Sequence, residues 1–571
     1  MSDFGLLPDV PAQGWPDLWC TYAAVRTMTW LGRADGVVGA DATADYVLSR
    51  GNPDGGFAWS RGMPSDAWAT FYSASALTDL GHRLPDPDRT LDWLRTTWTG
   101  DAYAMTPGQE AEVWATHFST RTAVEICGAD VPDRQRLLEW LGRLQTRDGG
   151  LAWSIGHARA GEADVRACYY GVAAWRALCR LASTDAPWDV PALVAWLRER
   201  QDTSGGFRFS PGADVPCMWA TYRAVGALAA LGEEPARPCS EWILAQRDSS
   251  GAFLRWPGYA VADVWASFCA VGALKALDAP IEPVADAVDK GLAAMACPEG
   301  GFTYREPGYA ADALSTAAAA LVARDDDPLT SRLRRWLEGC LLPNEGGVMY
   351  MPGRGAEIRC TAWALAAGAF RDSPRDLSRI LRWLSELQNP DGGFGYWHGR
   401  GSDMVSSAAA VEIHRLAGAE GPTPFSSSAL AAFVDQCASG DGYANVPRAR
   451  PALRPGLHAL RILNALDRAD PSTADALLAR HRVRGGGWAN EGNRVPDLLS
   501  TYEAVVTSDL HRLDVEPAHL TAYLDRTASP AGAAWSPLAP ATEDPLAVCL
   551  HGLLRRRAGD PSFRLPALTL S

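Results

Sequence analysis

Carboxyls recur in this chain at one register, each followed four positions later by a small hydroxyl: Asp17 and Thr21, Asp66 and Thr70, Glu112 and Thr116, Asp263 and Ser267, Asp312 and Thr316, Glu357 and Thr361, Asp403 and Ser407, Asp497 and Thr501. A carboxyl at a helix start accepts the free amides of the first turn, which stabilises its charged form and weakens it as an acid. The alternative is that one of these carboxyls works as a general acid. Arginines recur just ahead of these acids, at Arg61, Arg255, Arg305, Arg354 and Arg400. Several guanidiniums gathered beside helix N-termini would make an anion site fit for a diphosphate; the alternative is that each pairs with a neighbouring acid. Trp397 and His398 stand beside Arg400 and read as loop residues, with Trp397 offering an apolar face to the same site.

Other chemistries find less support. The twelve cysteines are scattered singly, with no Cys-x-x-Cys pair, and most fall inside apolar helical patterns where Cys behaves as a small buried hydrophobe. Lys275 and Lys290 are the only lysines, so Schiff-base chemistry is excluded from the leading readings. The run Arg324-Asp325-Asp326-Asp327-Pro328 is like a magnesium-binding cluster, yet it lacks a third carboxylate at the needed spacing and precedes Pro. It reads as a solvated connection, with magnesium left open as a cofactor. A net charge of −14 without a basic block argues against nucleic acid as a partner. No apolar run reaches the ~18–20 residues of a membrane span, which leaves room only for peripheral membrane contact, and no N-terminal targeting pattern is visible. A cytoplasmic location follows as the default.

The elements that position these residues are repeats. A glycine turn recurs as Gly55-Gly56-Phe57, Gly149-Gly150-Leu151, Gly205-Gly206-Phe207, Gly251-Ala252-Phe253, Gly300-Gly301-Phe302, Gly346-Gly347-Val348, Gly392-Gly393-Phe394 and Gly486-Gly487-Trp488. The spacing of about 45–50 residues fits one helical hairpin per repeat. Amphipathic segments such as Trp383-Leu384 to Gln388 precede the turns and read as outer helices; the Ala- and Val-rich segments opened by the recurring acids read as inner ones. The fold class is therefore all-α, with alternating helices closed into two α/α barrels. The residue after the recurring hydroxyl is bulky in the first six copies (Tyr22, Phe71, His117, Tyr169, Tyr222, Phe268), then becomes Ala317, Ala362 and Ala408 before Tyr502. With the Pro-containing stretch Asp278–Pro283, this places the division near 280: residues 1–280 an aromatic-lined barrel, 281–571 an alanine-lined barrel with room for an apolar guest.

The segments Gly161–Tyr170, Gln388–Gly395 and Val495–Tyr502 resemble the repeat of the prenyltransferase and squalene-cyclase superfamily, and the two-barrel length is closest to its class II terpene cyclases. The resemblance implies an enzyme that protonates a linear isoprenoid, a prenyl diphosphate or similar, and guides the carbocation among aromatic faces. Its Asp-rich motif falls on Asp312-Ala313-Leu314-Ser315-Thr316-Ala317, where only Asp312, Thr316 and Ala317 match and Leu314 stands in the proton donor's place. Asp312 is then the acid available by position, with Glu357 and Asp403 in equivalent slots and Arg305, Arg354, Arg400, Trp397 and Thr316 as substrate contacts. Against the zinc prenyltransferases, Asp263 matches a ligand position, but Trp265 and Ser315 replace the other two, so no zinc is expected. A non-catalytic isoprenoid-binding or scaffold protein, and a zinc-free prenyltransferase-like transferase, are the alternatives.

Overall fold

The computed structural model describes residues 15–569, apart from 60–62, 212, 214, 260, 306, 308, 309, 324–326, 344, 419–422, 441, 493, 531 and 543. Arg61, Arg324, Asp325 and Asp326 therefore lie outside the described residues. Among the described residues are 24 α-helices and no strand longer than three residues, as an all-α chain requires.

The chain forms two compact units, Met1–Ala311 with Gly399–Gly401, and Asp312–His398 with Ser402–Ser571. In the first, inner helices α1 (Leu18–Trp30), α3 (Ala67–Asp79), α5 (Val113–Arg121), α8 (Val165–Leu178), α10 (Met218–Ala230) and α12 (Val264–Ala276) alternate with outer helices. The outer set is α2 (Ala40–Leu48), α4 (Pro87–Thr96), α6 (Arg134–Gly142), α9 (Val190–Glu199), α11 (Ser240–Leu244) and α13 (Glu282–Ala293), with a short α7 (Ile155–Ala160) in one connection. In the second unit the inner helices are α14 (Ala313–Val322), α16 (Ile358–Ala366), α18 (Met404–Leu416), α20 (Leu453–Ala465), α22 (Leu498–Leu510) and α24 (Pro545–Gly559). Between them run α15 (Pro328–Gly339), α17 (Pro374–Glu386), α19 (Ser427–Gln436), α21 (Pro471–His481) and α23 (Pro517–Thr527), and α24 packs against α14 to close the ring.

Burial follows from sequence. On α17, Pro374 opens the first turn and Ile380, Trp383 and Leu384 are buried at helical spacing while the arginines face water. Inner α3 is buried on every side over Ala67–Leu77 and carries no charge there. The turn between α17 and α18 needs glycine: Gly392 has φ +91°, and a Cβ on it would sit 2.1 Å from the carbonyl oxygen of Ala429.

The recurring hydroxyls do not line the lumen. Most accept a hydrogen bond from the first amide after a glycine turn: Phe57 N–H to Thr70 Oγ1 at 3.0 Å, Phe207 to Thr221 at 2.9 Å, Val348 to Thr361 at 2.9 Å, Phe394 to Ser407 at 3.1 Å and Trp488 to Thr501 at 3.1 Å; the Thr316 hydroxyl, buried on α14, makes no such bond among the described residues. The same latch closes the first barrel on itself. Phe302 N–H donates to Thr21 Oγ1 at 3.0 Å, Gly301 N–H to Thr43 Oγ1 at 3.0 Å, and Asp17 N–H returns to the Phe302 carbonyl at 2.9 Å. This is why the units divide between Ala311 and Asp312 and not near 280. Outer helix α13 and the turn at Gly300-Gly301 belong to the first ring, since the repeat they finish is latched by α1.

In the second unit the residues at the lumen register are Ala317, Ala362, Ala408, Leu457, Tyr502 and Cys549. The volume freed by the alanines is filled by the chain's own segment 565–569. Trp363 Nε1 donates to the Thr569 carbonyl at 3.1 Å, Tyr502 Oη to Pro566 at 2.8 Å, and Arg461 to Leu568 at 3.1 and 3.2 Å, while Leu565, Leu568 and Thr569 are buried. Donors on α16, α20 and α22 converge on this segment, so it lies inside the ring that they help enclose.

Candidate functional site

Most of the recurring acids are caps. Asp66 Oδ1 accepts Ala69 N–H at 2.7 Å, Asp263 accepts Ala266 N–H at 2.8 Å, and Asp497 accepts Ser500 N–H at 2.8 Å. Asp312 has both oxygens engaged by one residue, Oδ1 by Ser315 N–H at 2.8 Å and Oδ2 by the Ser315 hydroxyl at 2.7 Å. Asp403 repeats that arrangement with Ser406, at 2.8 and 3.0 Å. Burial raises Asp312 above its ordinary range, and the bonds from Ser315 oppose that rise only in part. The geometry of the two aspartates named as acids is thus that of helix caps.

The two glutamates differ. One methylene longer, neither Glu112 nor Glu357 caps its helix. Glu357 is committed elsewhere: Oε1 accepts Arg359 Nε at 2.8 Å, Oε2 accepts the Cys360 thiol at 2.8 Å, and the Arg359 guanidinium lies 4.2 Å over the Tyr396 ring. Glu112 is buried at the start of α5, and neither carboxyl oxygen accepts a side-chain hydrogen bond. Arg400, expected among the loops of the second barrel, belongs with Gly399–Gly401 to the first unit, and its Nη1 lies 3.7 Å from Glu112 Oε1. Burial raises Glu112 to about 7, against a smaller pull downward from Arg400, with Asp66 adding to the rise. Asp263, also buried in this unit, is raised to about 6 for the same reason.

Around these acids the first unit stacks rings in layers. Tyr22, Phe71, His117, Tyr169, Tyr222 and Phe268 form a closed circle with successive centroids 5.3 to 6.0 Å apart. They plug the lumen, as the sequence pattern implied. Burial pushes His117 well below its ordinary range, so it sits in the circle as a neutral ring. One turn nearer the helix starts, at i−3 on the same faces, lie Trp19, Trp68, Trp114, Trp219 and Trp265. Trp19 is 4.7 Å from Trp68 and 4.5 Å from Trp265, and Trp68 is 4.7 Å from Trp114. The sixth place holds Arg166, which pairs with Asp164 at 3.0 and 2.8 Å and lies 5.1 Å over the Trp153 ring. Such faces stabilise positive charge.

A family model for the prenyltransferase alpha-alpha toroid domain matches residues 3–99, 63–190, 181–338 and 309–450. The chain belongs to that family. No curated protein sequence matches this toroid protein. Among solved structures it is similar to ent-copalyl diphosphate synthase from Streptomyces platensis, at 17 % identity over 97 % of this chain and 96 % of that one, with a TM-score of 0.41. Candida albicans protein geranylgeranyltransferase-I, complexed with GGPP, is similar at 15 % identity over 46 % of this chain and 89 % of that one, TM-score 0.37. A type II terpene cyclase from Scytonema is similar at 14 % over 51 % and 93 %, TM-score 0.33.

The remaining expected contacts of the toroid fall in both units. Arg305 lies in the first unit and half-buried Trp397 in the second; Arg354, also in the second, is buried with its guanidinium 6.0 Å from the Tyr350 ring centre. Thr316 is buried on α14. At the positions that match zinc ligands, Asp263 caps α12, Trp265 packs on Trp19, and Ser315 bonds Asp312. No group of three or more His, Cys, Asp and Glu suited to a metal ion occurs among the described residues. Asp327, the described acid of the Asp-rich run, caps α15. No described helix is long and apolar enough to cross a membrane, and the cysteines are free, ten of them buried.

Glu112 was not singled out from sequence as an acid. The signal was present: it and Glu357 are the glutamates in a register of aspartates, and Glu is a poor N-cap.

Proposed function

We propose that this toroid protein is a terpene-cyclase-like enzyme that protonates a linear isoprenoid, with Glu112 as the acid. The observation that carries this reading is a buried, uncapped carboxyl raised to about 7 at the start of α5, two residues before Trp114 in the tryptophan layer. Near neutral pH a large share of Glu112 holds its proton, as a general acid must. The proton passes from the Glu112 oxygen to an alkene carbon; the carboxylate left behind is stabilised by the Arg400 guanidinium, and the cation formed is stabilised by indole faces until it gives up a proton from a neighbouring carbon, which forms a new alkene and leaves a product isomeric with the substrate. Arg400 also offers a diphosphate a cation without zinc.

The test is incubation with C10 to C30 prenyl diphosphates and squalene, followed by mass spectrometry of dephosphorylated extracts. Products isomeric with the input isoprenoid are expected, lost at least about a hundredfold in Glu112→Gln. Asp312→Asn should lower stability and keep turnover. Full turnover by Glu112→Gln would remove Glu112 from the chemistry. A second reading, a binding or scaffold protein without catalysis, is favoured by the segment 565–569 that fills the second lumen; it predicts isoprenoid binding with no product.

A further inference from the structure

The same barrel has a second end. Beyond the circle of rings, the inner helices of the first unit finish in small residues and leave a cavity of about 280 Å³. Trp30, Tyr169 and Tyr222 wall it, and Arg121, Arg176 and Lys275 bring three cations to it. Two glycines make the space. A Cβ on Gly226 would stand 2.9 Å from the Tyr169 ring, and one on Gly272 would stand 2.6 Å from Tyr222 and 2.8 Å from Trp30. With no side chain there, the rings lie back against the helices and do not fill the opening. Tyr169 and Tyr222 share a hydroxyl–hydroxyl bond of 2.9 Å, which uses one of their two protons and leaves the other available to an acceptor.

Charge decides what the cavity takes. Its one carboxylate, Glu125, is held by Arg121 at 2.8 Å and has Arg180 within 3.8 Å. Of the other charges at this end, Asp79 is paired with Arg26 at 2.6 Å, and Arg33 with Asp286 and Asp289. Arg176 and Lys275 make no ion pair or side-chain hydrogen bond among the described residues. Both stand in the last turn of their helices, where they offset the negative helix ends; that accounts for their sign but not for the aromatic cavity between them. Helix α5 changes character here as well. It runs on as a π-turn, Thr122–Ile126, with Cys127 N–H reaching back to the Thr122 carbonyl at 2.9 Å, and this turn carries Glu125.

We propose that this cavity is a binding site for an organic anion with an apolar or aromatic body, separate from the Glu112 end of the barrel. The body lies between Trp30, Tyr169 and Tyr222, and the anionic group meets Arg176 and Lys275 at the rim. Glu112 and Glu125 are joined by α5 and its π-turn, about 20 Å of helix, so an occupant of the cavity sits at the far end of the element that carries the acid. The inference does not rest on the catalytic reading.

The test uses the full chain and 1-naphthyl phosphate, followed by titration calorimetry. One saturable site is expected. Inorganic phosphate and 1-naphthol, which each carry half of the recognised chemistry, should bind at least tenfold more weakly. The exposed pair Arg176→Glu with Lys275→Glu should weaken 1-naphthyl phosphate at least tenfold with an unchanged helical spectrum, and Ala230→Trp should abolish binding by filling the cavity. Arg400→Ala should leave the affinity unchanged, which separates this site from the Glu112 end. Absence of saturable binding, equal binding of 1-naphthol, or indifference to the double charge reversal would each overturn the proposal. If Ala230→Trp does not fold, the charge reversal decides alone.

Discussion

Glu112 and Asp312 occupy the same slot in their repeats and differ by one methylene, and the structure gives them different work. An aspartate carboxyl reaches the amide three residues on; the glutamate's does not, and remains buried without it. That difference has a pH signature. Glu112 is raised from the ordinary 4.5 to about 7, so the folded protein holds a proton that the unfolded chain releases between those values. Its contribution to stability is full below the unfolded value and is lost as pH rises through the folded one, a loss of about 3 kcal/mol. Denaturant unfolding of Glu112→Gln from pH 4 to 8 should show that fall removed. If Glu112 is the acid, turnover falls as pH rises through about 7. Arg400→Ala should move that midpoint upward, because Arg400 is the group pulling Glu112 down. A midpoint unmoved in Arg400→Ala would separate the two residues. Of the site, the register of acids was legible in sequence, since caps are a local property. What burial does to each carboxyl was not, because it depends on Arg400, which lies far away in the chain and is brought to Glu112 by the fold.

At the scale of the element, most of the recurring hydroxyls on the inner helices bind a turn, Thr316 being the exception. The sequence shows acid, hydroxyl and glycine turn at fixed spacing, and so the hairpins, their order and the bulky circle were all readable from it. The direction of the hydroxyl was not, because a helical face meets both the lumen and the loop beside it. Thr70→Val keeps the side chain's shape and leaves the buried Phe57 amide unsatisfied. It should cost about 1–3 kcal/mol and speed hydrogen exchange at Phe57, both measurable on the intact chain. Thr361→Val should do the same for Val348 in the second unit. No change in exchange at either amide would show that water replaces the latch.

At the scale of the whole molecule, two rings with different fillings should unfold differently. The first is filled by side chains from its own inner helices; the second by the segment 565–569, whose carbonyls satisfy Trp363, Arg461 and Tyr502. Residue types alone could not foretell that second filling, since three alanines look the same whether the space above them stays open or receives a strand of chain. Arg461 also binds Glu503 at 2.8 Å, and Glu503 in turn meets His458 at 2.8 Å, all three buried. A chain ending at Arg564 leaves Trp363 and Tyr502 without these acceptors and Arg461 with Glu503 alone. It should lose a calorimetric transition belonging to the second unit, or lower it by tens of degrees, while the transition of the first is unmoved. Equal shifts in both would mean that the rings unfold as one. Ala362→Trp should destabilise the same transition, since its indole competes with the segment for one space.

The bond from Phe302 to Thr21 spans 281 residues. During synthesis at roughly 5–20 residues per second, α1 therefore leaves the ribosome some 15–60 s before the strand that completes its ring exists. For that interval the tryptophans and tyrosines of a half-built circle face water on one side, and the nascent first unit is a sticky arc of apolar surface. Chaperone capture of nascent chains should peak before residue 302 emerges and decline once the circle shuts.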